Sequence, residues 1–445
     1  MNVSPFTTIL TTGWFDLLEL HRAYPMRYPY LLESVVHGTP SARHDILFAF
    51  PGETLALGEP QETDFLERLD RWWAEQRDAI APVADLPFRG GWFVYLGYEL
   101  AGQIEPSLRL PVTTNSLPIA FATRIPAAVI RDHATQKIFV VSEQSELFKA
   151  ITADIQTLSK TTRNPAVLTN AFLREDPPHD FLTGVQRILH YIREGDVFQV
   201  NLSREWRAEL QGDFTAADIY QSLRATNPAP FAGLAVYGDS AIISSSPERL
   251  VRVSGDKVET RPIAGTRPRR ENHSSDAVDI QDLLAHPKER AEHIMLIDLE
   301  RNDLGRVCVP GSVRVEELMT TESYAHVHHI VSNVSGTLRP GITPGQVIRA
   351  VFPGGTITGC PKVRCMEIIA ELEHTRRGPY TGAMGYLNRD GSMDLNILIR
   401  TLVKDGKHIS LRAGAGIVAD SSPERELEET RAKARGLLRA LGAEL

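Results

Sequence analysis

Cysteine is scarce in this sequence, and the three cysteines present, Cys308, Cys360 and Cys365, fit no disulfide or metal-binding pattern. Their number is odd, no pair has CxxC spacing, and no histidine cluster lies beside them. We therefore expect neither a disulfide framework nor a zinc site, and a reducing, cytoplasmic compartment fits best.

Long apolar stretches are also missing. No uninterrupted apolar segment reaches the roughly 18 residues that a membrane-spanning helix needs. The opening residues, MNVSPFTTILTTGWFDLL, lack the basic start and apolar centre of a secretion signal. These absences predict a protein that does not cross a membrane.

Basic residues do not predominate: 48 Lys and Arg stand against 56 Asp and Glu, for a net charge of −8. This balance argues against nucleic acid as a partner. It leaves room for a small anionic ligand, because a local group of Arg and Lys is enough to bind one. The 445 residues exceed one typical core, so we expect two domains or one large core with an appended region.

The hydrophobic pattern mixes strands and helices without strict βαβ alternation, so the expected fold class is α+β. Strand composition is clear at residues 46–50 and 92–96. Helix starts are marked by capping patterns at Thr215 and at Thr343, the latter followed by Pro344.

The best linker candidate is the polar, proline-containing segment 157–178. It would separate an N-terminal region, residues 1–156, from a larger C-terminal region, residues 179–445.

Four segments carry residues suited to chemistry, and each also has an ordinary structural explanation. The glycine-rich stretch 352–362 (FPGGTITGCPK) could bind an anion at the start of the next helix, or be a plain loop. Glu292 shares a helix face with apolar residues, which favours either Mg²⁺ or an exposed position. Glu429 and Lys433 lie four residues apart, the spacing at which a solvent-exposed salt bridge forms on a helix. In segment 324–330 (YAHVHHI), one histidine could point into a site.

These segments belong to a series of motifs that follow one another from residue 195 to the C-terminus. They are GDVFQVNLS (195–203), SSSPERL (244–250), RPIAGTRPR (261–269), AEHIMLIDLERNDLGRV (291–307), YAHVHHIVS (324–332), FPGGTITGCPKVRCMEII (352–369), RGPYTGAMGY (377–386), MDLNILIRT (393–401) and AGAGIVADSSPERELEETRAKA (413–434).

Together these motifs resemble the chorismate-binding enzymes: anthranilate synthase component I, aminodeoxychorismate synthase component I, and the isochorismate and salicylate synthases. The N-terminal part resembles the family more loosely, through YLLES (30–34) and GGWFVYLGYEL (90–100). The resemblance implies the fold of anthranilate synthase component I, a large two-sheet core with surrounding helices. Residues 179–445 would then be the chorismate-binding catalytic region, and 1–156 the N-terminal region of that fold.

The resemblance also implies a Mg²⁺ site. Glu292 and Glu429 match the positions that chelate the ion, which in turn holds the ring carboxylate of chorismate. Lys433 would lie near that carboxylate. Tyr380 and Arg400 match positions that contact the enolpyruvyl carboxylate.

Further roles follow from the same resemblance. Glu248, in SPER, matches the general acid that protonates the departing C4 hydroxyl, and His329 matches a histidine beside the ring. Thr266 would contact the substrate from the PIAGT loop. Gly414 and Gly416 would let the backbone approach the substrate closely. Acid assistance and a metal-held ring suit a reaction that expels hydroxide, a poor leaving group.

The motifs point in two directions within the family. Aminodeoxychorismate synthases typically carry a lysine in PIKGT that attacks the ring, and here that position is Ala264, as in the PIAGT of anthranilate synthases. In contrast, FPGGTITGCPK and the NPAPF of ATNPAPFAG (225–233) resemble the aminodeoxychorismate type. Anthranilate synthases usually read NPSPYMF there, part of their tryptophan feedback pocket, and YLLES resembles its other half.

The sequence therefore favours amination of chorismate to 4-amino-4-deoxychorismate, on the route to p-aminobenzoate and folate. Anthranilate synthase component I is the alternative. A non-catalytic, tryptophan-binding regulatory subunit is more remote, because the acidic and basic site residues are all present. No cysteine lies in a GxCxG setting, so ammonia would come from solution or from a separate glutamine amidotransferase subunit.

Overall fold

The structure is a computed structural model that describes residues 6–10, 14–36, 43–59, 62–78, 86–111, 116–158, 172–268, 287–323 and 327–443. For residues 6–10, 172, 264–268, 287–289, 323 and 327–329 the description covers the backbone alone.

The described helices are α1 (Leu17–Ala23), α2 (Phe65–Gln76), α3 (Ala101–Ile104), α4 (Ser145–Thr157), α5 (Pro178–Glu194), α6 (Ala216–Thr226), α7 (Pro287–Gly305), α8 (Pro344–Val351), α9 (Lys362–Glu373) and α10 (Pro423–Ala440). Short 3-10 turns lie at Tyr98–Leu100 and Gly355–Ile357.

The described strands are β1 (Phe6–Leu10), β2 (Tyr30–Glu33), β3 (His44–Ala49), β4 (Thr54–Leu57), β5 (Gly91–Leu96), β6 (Ala120–Ile125), β7 (Ala127–Asp132), β8 (Lys137–Ser142), β9 (Phe172–Glu175), β10 (Gln199–Glu209), β11 (Phe231–Tyr237), β12 (Ser240–Ser246), β13 (Arg249–Ser254), β14 (Lys257–Thr260), β15 (Ile263–Pro268), β16 (Arg314–Ser323), β17 (Val327–Thr337), β18 (Gly359–Cys360), β19 (Ala383–Asn388), β20 (Met393–Ile397), β21 (Thr401–Asp405) and β22 (His408–Ile417).

These strands form two antiparallel sheets. The first has the order β1-β8-β7-β3-β2-β11-β12-β21-β22-β10-β18, with β9 also beside β10. The second has the order β15-β17-β14-β13-β20-β19-β5-β6-β4, with β16 also beside β17. The expected α+β class and two-sheet core are confirmed.

An aromatic cluster joins the two sheets. Tyr30 of the first sheet stacks on Phe93 of the second, with ring centroids 4.1 Å apart, and Phe48 meets Phe93 edge-on at 5.5 Å. All three side chains are buried. Aromatic pairs of this kind stabilise a core by about 0.5–1.5 kcal/mol beyond the area they bury. Helices cover the outer faces: α6 and α10 lie against the first sheet, and α7 and α8 against the second.

Local sequence signals set several helix ends, including the two starts predicted at Thr215 and Thr343. Thr215 and Asp218 form a complete capping box at the start of α6, and Thr343 with Gln346 does the same for α8. These side chains satisfy backbone N–H groups that the first helical turn leaves unpaired. Gly195 ends α5 with a φ of +83°, which a residue without Cβ adopts at little cost.

Both sheets take strands from each side of the segment predicted as a linker. In the first sheet β2, from the N-terminal region, pairs with β11 of the C-terminal region, and in the second β5 pairs with β19. Within that segment, Phe172–Glu175 is strand β9, paired with β10; residues 159–171 lie outside the described part. The domain boundary itself stays a prediction.

Among the described residues, no helix combines the length and apolar character that crossing a bilayer requires.

Candidate active site

Glu248 lies in the turn between β12 and β13, where its side chain is buried. The Thr356 hydroxyl, in the turn Gly355–Ile357, donates a hydrogen bond to Glu248 Oε1 at 2.6 Å. Burial raises the pKa of Glu248 to about 7, although this hydrogen bond and the charge of Lys433 act in the opposite direction. A carboxyl with so high a pKa keeps its proton near neutral pH, as a general acid must.

Lys433 connects helix α10 to strand β22. Its Nζ donates to the Gly414 carbonyl at 3.0 Å and forms an ion pair with Glu429 Oε1 at 2.6 Å. The i,i+4 pair expected from the sequence is therefore present. The Glu429 side chain keeps 47% of its surface exposed, so its carboxylate can still bind a cation from solvent.

Arg400 lies beside Lys433, and contacts of both its backbone and its side chain hold it there. Its Nη1 donates to the Lys433 carbonyl at 2.6 Å, and it forms no salt bridge with the residues that the structure describes. Its φ of +53° lies in the left-handed region, where a non-glycine residue costs about 1–3 kcal/mol, and Ser245 N holds its carbonyl at 3.1 Å.

The electrostatics of Arg400 favour an anionic ligand. Withdrawal from water lowers its pKa, while Tyr380 and Glu429 act the other way. A guanidinium stays charged in proteins, so a half-buried one without a carboxylate partner is suited to binding a carboxylate from outside.

Tyr380 and Gly414 lie beside the contact between Arg400 and Lys433, and Gly416 follows Gly414 two residues further along β22. The phenol of Tyr380 is buried, which raises its pKa to about 12 and keeps it a hydrogen-bond donor at neutral pH. A Cβ on Gly414 would lie 2.7 Å from the Tyr380 hydroxyl, and a Cβ on Gly416 would lie 2.3 Å from Gln199 Nε2. A Cβ on Gly414 would also lie 2.6 Å from the Leu202 carbonyl, which is backbone and cannot move aside, so only glycine fits there; at Gly416 the Gln199 side chain would have to shift.

Glu292 lies on α7, which packs against β15 and β17 of the second sheet. Its side chain is half-buried. His293, beside it, is buried and makes a 2.6 Å hydrogen bond with Ser332 Oγ, and burial lowers its pKa to about 4. Within the described part of the chain, no group of three or more His, Cys, Asp or Glu residues could hold a metal. An ion bound here would depend on one or two carboxylates, water and substrate, which is the usual manner of Mg²⁺.

The remaining predicted residues lie on two paired strands. Thr266 of β15 is opposite His329 of β17, and Ala264 is opposite Ile330, with a register shift between positions 264 and 266. The pairing brings Ala264, Thr266 and His329 to one end of the second sheet. Their side chains are outside the described part.

Several residues at the site had no role assigned from the sequence. Thr356 is one, since a threonine in a glycine-rich loop does not reveal which carboxyl it will contact. Asn201 and Gln199 are others. Their alternate positions in a strand could have indicated that both side chains face the same side of the sheet. Lys362 Nζ donates a hydrogen bond to Asp303 Oδ2 at 2.5 Å. Glu300 lies beside this pair, and burial raises the pKa of Glu300 to about 8.

A separate cavity of about 540 Å³ brings together the two segments compared above with a tryptophan pocket. Ser34 of YLLES and Phe231 of NPAPF both line it, with Met384 and Asn396 from the second sheet. The structure thus joins these segments, and tryptophan binding stays a hypothesis.

Replacing Thr356 by valine is expected to raise the pKa of Glu248 further, because the lost hydrogen bond favours the ionised carboxylate. The alkaline fall of the pH–rate profile should then move to higher pH. Thr358→Val is the matched control, since the Thr358 hydroxyl bonds the Gly354 carbonyl at 2.9 Å instead. An unmoved profile in Thr356→Val would contradict the assignment of that limb to Glu248.

A buried acid beside cationic and N–H donors, where the two antiparallel sheets meet, is suited to a small anionic substrate. A model of the chorismate-binding enzyme family matches residues 31–439, and the chain belongs to that family. More closely, it is a chorismate-utilising enzyme of the anthranilate synthase and aminodeoxychorismate synthase type.

Relatives of both types are similar to the chain. An anthranilate synthase component 1 from Thermus thermophilus is 40% identical over 450 residues, covering 98% of this chain and 96% of the relative. An aminodeoxychorismate synthase component 1 from Bacillus subtilis is 41% identical over 366 residues, covering 80% and 77%. The crystal structure of anthranilate synthase component I from Streptococcus pneumoniae superposes with a TM-score of 0.80 at 33% identity, over 90% of this chain and 93% of that one.

Proposed function

We propose that this enzyme aminates chorismate at C4, giving 4-amino-4-deoxychorismate with ammonia supplied by a separate glutamine amidotransferase subunit. The observation that carries the proposal is Glu248, a buried carboxyl with a pKa near 7 that contacts Thr356 and lies within the electrostatic reach of Lys433. Expulsion of hydroxide needs such a proton donor.

In this mechanism Glu248 donates its proton to the C4 hydroxyl, so the C4–O bond breaks with loss of water. Ammonia supplies the electron pair of the new C4–N bond. One proton of the resulting ammonium group then leaves, which restores the acid form of Glu248. The sum is chorismate plus ammonia giving 4-amino-4-deoxychorismate plus water, without release of pyruvate.

Cationic and N–H donors hold the substrate during these steps. Arg400 and the Tyr380 hydroxyl bind the enolpyruvyl carboxylate, which supplies the anionic partner that the Arg400 guanidinium lacks among the described residues. Lys433 lies toward the ring carboxylate. Thr266 and His329, which the resemblance places at the substrate, would contact the ring.

Glu292 and Glu429 would hold Mg²⁺, since both are carboxylates and hard oxygen ligands are what this ion prefers. When bound, the ion supplies neutralising charge for the ring carboxylate. The pair Lys433–Glu429 then helps to orient one of the two ligands.

Attack at C4 is supported by FPGGTITGCPK and NPAPF, which resemble the aminodeoxychorismate type, and by the similarity to the relative from Bacillus subtilis. With Ala264 in place of the family lysine, ammonia would attack C4 directly or after water adds at C2. The second candidate is an anthranilate synthase component. Ala264 favours it, and so does the similarity to the anthranilate synthase component 1 from Thermus thermophilus.

The purified chain, supplied with chorismate, Mg²⁺ and ammonium, should form a product that a separate aminodeoxychorismate lyase converts to p-aminobenzoate. No p-aminobenzoate should form without the lyase, and glutamine should not replace ammonium in the absence of an amidotransferase. Mass spectrometry and fluorescence identify the products. Anthranilate and pyruvate in the absence of lyase would establish the second candidate, and efficient use of glutamine by the single chain would refute the need for a partner.

A further inference from the structure

The side chain of Asn201 is a buried polar group whose function the reaction scheme above does not include. Asn201 lies in β10, and its side chain is more than nine-tenths buried. Its backbone is fully engaged: the N–H donates to the Thr358 carbonyl at 2.9 Å, and the carbonyl accepts from Arg377 Nη2 at 2.7 Å. The side-chain oxygen Oδ1, in contrast, has no hydrogen-bond partner among the described residues.

This oxygen points toward the candidate active site. β10 pairs with β22 so that Asn201 is opposite Gly416, and alternate residues of the two strands share one face. A Cβ placed on Gly414 would lie 2.8 Å from Asn201 Oδ1 and 2.7 Å from the Tyr380 hydroxyl. Gly414 is also the residue whose carbonyl binds Lys433. Two positions earlier, on the same face, the buried Gln199 Oε1 is a second acceptor without a partner in the described part of the chain.

A buried acceptor without a donor is unfavourable, so such a group is expected to gain its donor from a ligand. Chorismate offers few donors: its two carboxylates and its ether oxygen only accept at neutral pH. Its single hydroxyl is the group that Glu248 protonates. The N–H groups of the incoming ammonia are the donors that remain.

We propose that Asn201 Oδ1 binds the ammonia that attacks the ring, as a nucleophile-binding residue of the active site. An N–H directed at this oxygen leaves the nitrogen lone pair free to face the ring. The nitrogen becomes positively charged as the C–N bond forms, so the acceptor binds it more strongly in the transition state than in the ground state. Because β10 is hydrogen-bonded to β22 along its length, the acceptor is held rigidly. The inference depends on ammonia being the nucleophile, which both candidate functions share.

The test compares Asn201→Leu, which keeps the branched shape and removes the acceptor, with Asn201→Asp, which keeps an acceptor oxygen. Ammonium is varied at saturating chorismate, and chorismate at saturating ammonium, in Mg²⁺ buffer at fixed pH. In Asn201→Leu, kcat/KM for ammonium should fall about tenfold, the effect expected for one hydrogen bond to a charged group, while KM for chorismate changes little. Asn201→Asp should retain most of the wild-type value. Ser203→Ala is the control, since the Ser203 hydroxyl on the same face bonds Glu373 at 2.8 Å.

Thermal unfolding of each variant shows whether it folds, and Asn201→Ala replaces the leucine variant if that one does not. Equal losses for both substrates, or a rise in KM for chorismate alone, would overturn the role in binding ammonia. Product identity is measured in the same samples. Anthranilate as the product would overturn C4 amination and leave the result for Asn201 valid, whereas a wild-type chain that forms no aminated product would overturn both.

Discussion

Glu248→Gln should reduce the turnover of chorismate by about 10²- to 10⁴-fold, which is the usual contribution of a positioned general acid. Glutamine has nearly the same shape and can still accept the hydrogen bond from Thr356, but it has no proton to give to the departing hydroxyl. The binding of chorismate, followed by calorimetry, should therefore persist while kcat falls. Turnover within a few-fold of wild type would rule out Glu248 as the acid.

The matched control for this variant is Glu33→Gln. Glu33 of β2 is also a fully buried carboxyl, and its burial and the neighbouring Asp45 raise its pKa to about 7. Its partners, however, are Tyr220 and Arg224, at a distance from the candidate site. Its loss should lower the melting temperature without abolishing catalysis. A similar collapse of kcat in both variants would point to general damage instead of proton donation.

The pH dependence has a defined sign. Since burial raises the pKa of Glu248 to about 7, its acid form predominates below that pH and is lost as the pH rises through it. Turnover at a constant concentration of free ammonia should therefore fall on the alkaline side of pH 7, and Glu248→Gln should lack this limb. Free ammonia has to be held constant because its fraction of total ammonium rises with pH.

Removing either proposed magnesium ligand, by Glu292→Ala or Glu429→Ala, should lower kcat/KM for chorismate by about 100-fold or more. An ion that neutralises a carboxylate in the active site contributes several kcal/mol, and each 1.36 kcal/mol corresponds to about a tenfold change in rate. The Mg²⁺ concentration for half-maximal activity should rise in both variants. Both proteins should stay folded, because the Glu429 side chain is half-exposed and Glu292 is only half-buried.

Neighbours on the same helices serve as controls for the magnesium variants. Asp298 of α7 is 76% exposed and pairs with Arg301, and Glu428 of α10 is 66% exposed and pairs with Arg431. Asp298→Ala and Glu428→Ala remove the same charge from the same helices and should leave the Mg²⁺ dependence unchanged. Full activity of Glu292→Ala and Glu429→Ala in chelator-treated buffer would refute the metal site.

Local structure was largely readable from the sequence. The capping boxes at Thr215 and Thr343 occur as predicted, and, like the αL glycine Gly195, they are short-range features that involve neighbouring residues only. The ion pair Glu429–Lys433 follows in the same way from helical spacing. The sequence by itself also determined membership of the chorismate-binding family, because many collinear motifs recur across the last 250 or so residues.

Other properties depended on contacts between residues far apart in the chain. That β2 pairs with β11 and β5 with β19 could not be inferred from periodicity, since alternation shows which side of a strand is buried but not its neighbour. The shared sheets are therefore a result of tertiary structure, and they place the proposed N-terminal and catalytic regions in the same two sheets.

The chemistry of the site was decided at this level too. SPER shows that a glutamate is present, but its raised pKa comes from burial and from a threonine 108 positions away in the sequence. The unpaired Asn201 oxygen, likewise, becomes visible only once β22 and Tyr380 lie against β10. Residue type and short-range spacing determine local structure and family, whereas burial, and with it proton affinity and unmet hydrogen bonds, arises only when distant segments exclude water together.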